Sequence, residues 1–428
     1  MSHWRGGKDR TPKLPDDKIP LGPLVTEFIL EDIASSVGEA RITNCKYAAS
    51  YSMSDEKPLN VIIPGQPAAW RPIPLPCSLP GDRGDYMRDQ NGARFPNHPI
   101  QPAVQALFVL NEAFDPSQID IMGCASTLGD VLRFASAIES SFRFDVEVIG
   151  DTLFLIRNCK DEVIPDVKGY GHSFLDAFTS KGLGSGKIKS HQRVVSYDFA
   201  GLKCLVRFEC DSYVTNHQGR DTHVTQPKFN PSPLPSDAII IQKSGVIVPQ
   251  YSVAEIKTKS EAIGEIQKSD HLPRLWVRQI PYFITAYHTR GTFQDVRVED
   301  IREELFEWEA QHQGRLKRFA TILRQLTTEV KRASHVKLEI CRTGTGPLQL
   351  RERQGEANQA LPSAWEIRWA AKPEPNAGPS SSRDDSDEDS DSYPLTRTSS
   401  GGSDGSAADF SFDYTACGTE CGYCGRCA

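Results

Sequence analysis

The sequence predicts an α+β fold, with a mixed β-sheet flanked by helices and a disordered acidic C-terminal tail that ends in a cysteine cluster. Strand-like stretches rich in β-branched and aromatic residues recur along the chain, and apolar residues at helical spacing interrupt them at four places. Beyond Pro373, glycine, serine and acidic residues dominate until Asp409, and such a composition cannot bury a core. Because the sequence has no internal repeat, we expect one folded body.

Turn residues and apolar periodicity predict the individual elements. Gly150-Asp151 and Ala200-Gly201 separate pairs of strand-like runs and therefore predict two β-hairpins. Pro273 suits the first turn of a short helix, and Gly314 marks a break in the longest helical stretch. In chain order, strands are predicted at residues 24–30, 42–52, 59–63, 142–149, 152–157, 193–199, 202–214, 238–242, 244–258, 282–287, 292–298, 336–341, 348–351 and 365–369, and helices at 101–111, 127–140, 272–279 and 299–334.

Composition restricts the class of protein and its location. The chain has 428 residues and a net charge of −7, but residues 383–391 hold six acids against one base. The rest is close to neutral and neither supports nor excludes a basic channel for nucleic acid. Seven of the eleven cysteines are scattered through the sequence, which is typical of reduced core residues. Neither an apolar leader nor a run of membrane-spanning length is present. We expect an intracellular protein of the nucleus or cytoplasm, neither secreted nor bound to a membrane.

Four cysteines lie near the C-terminus, separated by gaps of three, two and two residues: Cys417, Cys421, Cys424 and Cys427. Four thiolates at this spacing can reach one tetrahedral Zn²⁺, and the intervening glycines allow tight turns. The alternative is a reducible tail without a metal. The expected organisation is a disordered N-terminus (1–20), a folded body (21–372), a disordered linker of serine, glycine and acids (373–409) and a cysteine-rich tail (410–428).

Two short acidic motifs end hydrophobic strand-like runs that lie about forty residues apart. The run LKCLVRFECD places Glu209 and Asp211 on one face of a strand, and the run VAEIKT does the same for Glu255 and Lys257, because alternate side chains share a face. If the strands are neighbours, three carboxylates and an ammonium converge. A bound cation relieves the repulsion between such carboxylates, and acidic oxygens beside a lysine suit Mg²⁺ or Mn²⁺ and phosphodiester hydrolysis.

The order acid-x-acid, then acid-x-Lys, is the skeleton of PD-(D/E)XK-type nucleases. Around this skeleton the chain resembles the DXO/Rai family of RNA 5′-end decapping nucleases over roughly residues 24–300. Residues 193–211 resemble that family's strand pair ending in Glu-x-Asp, residues 253–257 its Glu-aliphatic-Lys motif, and residues 275–279 (LWVRQ) its Trp-x-x-Gln helix. The resemblance implies that residues 21–372 form a decapping-nuclease-like catalytic domain and that Gln279 belongs to its active site.

Two departures from the family pattern accompany this resemblance. The family's Gly-aromatic-x-aromatic-Glu motif is matched by residues 171–176 (GHSFLD), where Asp176 replaces the glutamate and stands one residue further on. The family's early arginine, which the resemblance implies contacts RNA phosphate, falls near residues 124–126 (CAS), where no arginine is present. Arg133 and Arg143 are the candidates to replace it.

The resemblance implies a metal-dependent phosphodiester or pyrophosphate hydrolase that acts on RNA 5′ ends, by decapping or pyrophosphate removal. Exonucleolytic 5′-3′ digestion and a partner exoribonuclease are further options. The expected ligands of Mg²⁺ or Mn²⁺ are Asp176, Glu209, Asp211 and Glu255, and the expected catalytic residues are Asp211, Glu255, Lys257 and Gln279. Lys257 would neutralise developing charge and Gln279 would position water or phosphate. Two alternatives stay open: a catalytically impaired relative that binds RNA or a nuclease partner, and a DNA nuclease on the same skeleton.

Overall fold

A computed structural model describes residues 19–34, 38–54, 60–111, 113–158, 163–180, 188–217 and 220–371. Its α-helices, numbered α1 to α8 in chain order, are Gln90–Arg94, Gln101–Leu110, Ala125–Ala135, Gly171–Phe178, Lys268–Arg278, Arg302–Gln311, Gln313–Arg332 and Ser363–Ala370. Its strands, numbered β1 to β22, are Leu24–Phe28, Ile42–Ser54, Val61–Gly65, Ala68–Trp70, Cys77–Ser78, Tyr86–Met87, Ile121–Cys124, Phe142–Ile149, Thr152–Arg157, Val163–Ile164, Thr179–Ser180, Ile188–Phe199, Leu202–Glu209, Ser212–Tyr213, Asn216–His217, Arg220–Asp221, Ile241–Gly245, Val253–Ser260, Tyr282–Thr289, Thr292–Asp300, Leu338–Arg342 and Leu348–Glu352. The α+β class is confirmed, whereas the four C-terminal cysteines and the acidic linker lie outside the described residues.

Two large sheets organise the part of the chain that the structure describes. One has eleven strands in the order β1-β22-β21-β8-β9-β7-β13-β12-β2-β3-β17, and the other has seven in the order β11-β4-β14-β18-β19-β20-β5. The chain crosses from the first sheet to the second between β13 and β14, at Cys210-Asp211. In the second sheet β18 lies between β14, to which it is antiparallel, and β19, to which it is parallel.

Apolar side chains cover both faces of the larger sheet. Alternate residues of β13 enter different cores: Val206 and Phe208 pack in a cluster with residues of α3, α5, α6 and α7, and Leu205 packs in a cluster with residues of α2 and α8. A third cluster joins the smaller sheet to Phe174 and Phe178 of α4. No helix within the described ranges is both long and apolar enough to cross a membrane.

The strand expected at residues 365–369 is wrong, because these residues belong to helix α8. Trp365 and Trp369 are buried while Ile367 between them is 73% exposed, which a strand with all three on one face would not allow. Residues four apart share one face of a helix, so both tryptophans enter the core, and Trp369 Nε1 donates to Thr152 Oγ1 at 2.9 Å.

Three other expectations are corrected in their bounds. The strand expected at 244–258 is interrupted, because β17 ends at Gly245 with φ of 101° and β18 begins only at Val253. The short helix expected at 272–279 begins at Lys268, so Pro273 lies inside it rather than in its first turn. The long helix at 299–334 is two helices, which meet at His312, two residues before the expected break.

Candidate active site

The two acidic motifs lie together where the chain crosses from one sheet to the other. β13 ends at Glu209, and Ser212 of β14 pairs with Ala254 of β18, so Asp211 stands beside Glu255. The backbone amide of Ile256 donates to Asp211 Oδ2 at 2.9 Å. β13, which carries Glu209, and β18, which carries Glu255, lie in different sheets and are not neighbours. The acids come together because the chain crosses between the sheets at Cys210-Asp211 and β14 pairs with β18.

Glu255 is buried and holds three basic side chains. Its Oε1 lies 2.9 Å from Lys257 Nζ and 2.8 Å from a terminal guanidinium nitrogen of Arg274, and its Oε2 accepts from Arg278 at 3.0 Å. Burial alone would raise the pKa of this carboxyl, but Lys257, Arg274 and Arg278 together lower it well below its usual value. Glu255 is therefore ionised in the folded protein, and both of its oxygens are engaged.

The pKa values of Glu209 and Asp211 are shifted in the opposite direction, upward. Crowded protein surroundings and the neighbouring carboxylates of Asp211 and Asp89 raise the pKa of Glu209 to about 8, although solvent reaches its side chain. Burial and the charge of Glu255 raise the pKa of Asp211 to about 6, while Lys257 opposes them. The carboxylates thus repel one another, and the exposure of Glu209 places the open side of the site at the end of β13.

Sequence reasoning missed Arg274 and Arg278, which lie one helical turn apart on α5 and both reach Glu255. Their i, i+4 spacing just before Gln279 could have indicated that both lie on one face of the helix that leads to this glutamine. His271 lies one turn before Arg274, and its Nδ1 is 3.3 Å from that guanidinium. Burial, then Arg274 and Lys257, lower the pKa of His271 to about 3, so this imidazole is neutral at physiological pH.

Gln279 ends helix α5 in the left-handed region, with φ of 52°. Its side-chain Nε2 donates back to the carbonyl of Trp276 at 2.7 Å. Gln250 Nε2 in turn donates to the backbone carbonyl of Gln279 at 2.8 Å. The residue therefore lies next to Arg278, at the edge of the acidic cluster, with its amide turned toward its own helix.

Asp176, the fourth expected ligand, belongs to helix α4. It is an exposed residue of α4, and its charge acts on Tyr86, whose pKa is raised by burial and then by Asp82 and Asp176. Asp82 accepts the amides of His172 and Ser173 at the start of α4, at 3.1 and 2.8 Å. Residues 171–176 therefore form the first part of helix α4, and Asp82 caps the N-terminus of that helix.

The donor chemistry fits a divalent cation at Glu209 and Asp211, whereas both oxygens of Glu255 contact basic side chains. Two mutually repelling carboxylates of raised pKa are the hard oxygen donors that Mg²⁺ or Mn²⁺ prefers. Glu255, another of the four expected ligands, is within 3.0 Å of Lys257, Arg274 and Arg278. Among the residues that the structure describes, no three His, Cys, Asp or Glu side chains form a group that could hold a metal ion.

Arg143 and Arg133, the two arginines proposed to replace the family's early arginine, both lie close to acidic side chains in the protein interior. Arg143 forms a buried ion pair with Glu339, with Nε 2.6 Å from the carboxylate. Arg133 lies 3.6 Å from Asp130 on its own helix, and its side chain is 5% exposed. Both are parts of the core around the larger sheet.

Two arginines on the strands that flank β7, Arg207 on β13 and Arg157 on β9, lie beside residues 124–126. β7 ends at Cys124, which is paired with Arg207 of β13, and Arg157 at the end of β9 donates to Ser126 Oγ at 3.4 Å. Arg207 and Arg157 lie 3.9 and 3.7 Å from the carboxylate of Asp89. The sequence could not show these arginines, because only the parallel sheet brings them beside Cys124.

A family model for a domain of unknown function, DUF8563, matches residues 25–341. The chain belongs to this DUF8563 family. A search among curated proteins found no match to the sequence.

Three Rai1 structures share the architecture of this DUF8563 chain. That of S. pombe Rai1 is 12% identical, with a TM-score of 0.52 over 77% of this chain and 99% of Rai1. That of Scheffersomyces stipitis Rai1 with (3′-NADP)+ and calcium is 11% identical, with a TM-score of 0.51 over 84% and 99%. That of Candida albicans Rai1 with pU5-Mn²⁺ is 11% identical, with a TM-score of 0.50 over 81% and 98%. The chain therefore has the DXO/Rai-type fold, which confirms the fold expected from its motifs.

Proposed function

We propose that this chain is a divalent-metal-assisted hydrolase of phosphodiester or pyrophosphate bonds at RNA 5′ ends. The observation that carries the proposal is the convergence of Glu209, Asp211, Glu255 and Lys257 where the two sheets of a DXO/Rai-type fold meet. Solved relatives of the fold support the substrate class, since their structures hold pU5 with Mn²⁺ or (3′-NADP)+ with calcium.

Each side chain of the cluster has a role that its contacts support. Glu209 and Asp211 would hold a Mg²⁺ or Mn²⁺ ion, which supplies charge neutralisation and activation of water when bound. Asp211 is oriented by the Ile256 amide, and Glu255 holds the Lys257 ammonium at 2.9 Å, where it can neutralise charge that develops on a phosphate oxygen. Gln279 would turn its amide from Trp276 toward water or phosphate.

The binding-only relative is the second candidate, and one observation favours it. Both oxygens of Glu255, the third carboxylate of the nuclease skeleton, contact basic side chains, so three cations already compensate its charge. Such a site would bind an RNA 5′ end or a partner exoribonuclease without cleaving, in the nucleus or the cytoplasm.

A cleavage assay distinguishes the two. RNAs with a 5′-triphosphate, a 5′-monophosphate, a cap or an NAD cap, together with single-stranded DNA, would be incubated with Mg²⁺, Mn²⁺ or EDTA. Asp211→Asn is the test variant, and Glu303→Gln, an exposed glutamate of α6, is the matched control. Metal-dependent cleavage that Asp211→Asn loses and Glu303→Gln keeps supports the hydrolase. The RNA 5′ end that is cleaved fastest identifies the substrate. The lengths of the products show whether digestion continues 5′ to 3′.

Two other results would contradict this function. Binding of RNA without cleavage of any substrate establishes the binding-only relative. Cleavage of DNA in preference to every RNA establishes a DNA nuclease on the same skeleton.

A further inference from the structure

Helix α5 ends at Gln279 in a conformation that usually requires glycine. Gln279 has φ of 52°, and its backbone amide donates to the carbonyl of Trp276 at 3.1 Å. The amide of the next residue, Ile280, donates to the carbonyl of Leu275 at 3.1 Å. These two bonds form a Schellman motif, whose left-handed residue is most often glycine because a Cβ atom crowds the backbone there. A glutamine at this position costs stability, so contacts from outside the helix are needed to hold it.

Gln250 supplies such contacts from a single 3₁₀ turn, Gln250–Ser252, which lies immediately before β18. Its Nε2 donates to the backbone carbonyl of Arg278 at 3.2 Å and to that of Gln279 at 2.8 Å. A side-chain amide nitrogen carries two hydrogens, so the end of α5 engages both of them. Gln250 therefore joins the end of this helix to the start of the strand that carries the Glu-x-Lys motif.

Arg193 determines which way the Gln250 amide points. This residue of β12 is 0% exposed, its guanidinium lies 4.7 Å from the centre of the Tyr47 ring, and it donates to the carbonyl of Val248. Its Nε donates to Gln250 Oε1 at 2.6 Å. Because a guanidinium can only donate hydrogen bonds, the oxygen of the amide faces Arg193 and the NH₂ group faces the helix end.

We propose that Gln250, oriented by Arg193, is a positioning residue of the candidate active site. It holds the left-handed backbone of Gln279 and thereby sets where the side chains of Gln279 and Arg278 lie beside the acidic cluster. The inference rests on the proposed function, which gives Gln279 its role at water or phosphate. A functional side chain keeps its geometry only when a second layer of hydrogen bonds supports it.

The isosteric change Gln250→Glu separates positioning from folding. The carboxylate keeps an acceptor for Arg193 and adds an opposite charge beside that guanidinium, so the urea midpoint of unfolding should not fall. It has no hydrogens for the carbonyls of Arg278 and Gln279 and repels them. Gln242→Glu, the same change at an exposed residue of β17, is the matched control. Gln250→Met, which removes both donors without adding a charge, is the second variant.

Hydrogen exchange followed by mass spectrometry tests the contacts without any turnover. Peptides that cover residues 274–282 should exchange about tenfold or more faster in Gln250→Glu and Gln250→Met than in the wild type, as the loss of two hydrogen bonds at a helix end implies. Peptides from β9 should not change, and Gln242→Glu should match the wild type throughout. Unchanged exchange of residues 274–282 in both Gln250 variants would overturn the proposal.

Kinetics test whether the held helix end matters to the reaction. On the RNA that the wild type cleaves fastest, Gln250→Glu should lower kcat about tenfold or more with little change in KM, because a displaced Gln279 affects the reacting groups and not the rest of the RNA. Combined with Gln279→Ala, it should lower kcat no further than Gln279→Ala alone, whereas two independent effects would multiply. A wild-type kcat in Gln250→Glu, or effects that multiply, would overturn the positioning role.

The two proposals fail separately. Faster exchange of residues 274–282 in the Gln250 variants, with no cleavage by the wild type, would refute hydrolysis and leave Gln250 as the residue that holds the helix end. Cleavage by the wild type that Gln250→Glu retains in full would refute the positioning role and leave the hydrolase.

Discussion

Replacement of Glu255 by glutamine should destabilise the protein strongly, apart from any effect on activity. The carboxylate is 2% exposed and compensates three cations at 2.8 to 3.0 Å. Removing one partner of a buried ion pair leaves an uncompensated charge and costs about 3–5 kcal/mol. The amide keeps an acceptor oxygen but places an NH₂ group against a cation, so we expect about 3 kcal/mol, a large share of the ~5–15 kcal/mol of a typical domain.

The pH dependence of this effect has a definite sign. The pKa of Glu255 is lower in the folded protein than its ordinary value of 4.5. The carboxylate therefore contributes stability that is present above pH 4.5 and is lost as the pH falls below it. The difference between wild type and Glu255→Gln should accordingly shrink in acid.

Urea unfolding followed by tryptophan fluorescence measures the difference, with Glu303→Gln as a surface control expected within about 0.5 kcal/mol of wild type. Adding Lys257→Met to Glu255→Gln should recover part of the loss, because the unpaired cation is removed, with a coupling energy of about 1 kcal/mol or more. A Glu255→Gln protein as stable as the control would refute the argument that Glu255 holds these cations together. The same measurement shows whether lost activity in this variant reflects chemistry or unfolding.

Three further predictions concern other parts of the chain. Burial raises the pKa of Glu147 to about 7 from 4.5, so wild type should lose about 2 kcal/mol relative to Glu147→Gln as the pH rises from 4.5 to 7, allowing for solvent screening. Equal pH profiles in urea unfolding would contradict this. Glu339→Gln should cost about 3 kcal/mol or more, since this buried carboxylate binds Arg143 and Arg353 at 2.6 and 2.7 Å; a loss below about 1 kcal/mol in the same assay would contradict it. Metal analysis of the full chain under reducing conditions should find about one zinc, lost in Cys424→Ser; a zinc-free wild type would contradict the tail site.

Local signals in the sequence were sufficient for most elements. The hairpins at Gly150-Asp151 and Ala200-Gly201 form as expected, because two strands joined by a tight turn need only neighbouring residues to specify them. Trp365 and Trp369 misled the prediction, since a short apolar stretch suits a strand or a buried helix equally until burial of its alternate positions is known.

The acidic cluster could be predicted in part. Glu255 and Lys257 could be assigned to one face of a strand, because that depends only on strand periodicity. Strand periodicity did not place Asp211, since β13 ends at Glu209 and Asp211 lies in the crossover between the sheets. The convergence of the two motifs needed the pairing of β14 with β18, a contact between residues distant in sequence.

The sequence by itself determined the α+β class, the strands that carry the acids and the resemblance to the DXO/Rai fold, because periodicity and short motifs are properties of neighbouring residues. Only the tertiary structure decided which basic side chains lie beside those acids. Arg274 and Arg278 reach Glu255 because α5 packs beside β18, and Arg157 and Arg207 flank Cys124 because three parallel strands align there. Charge balance at a site is a sum over side chains brought together by packing, and no single stretch of sequence contains that sum.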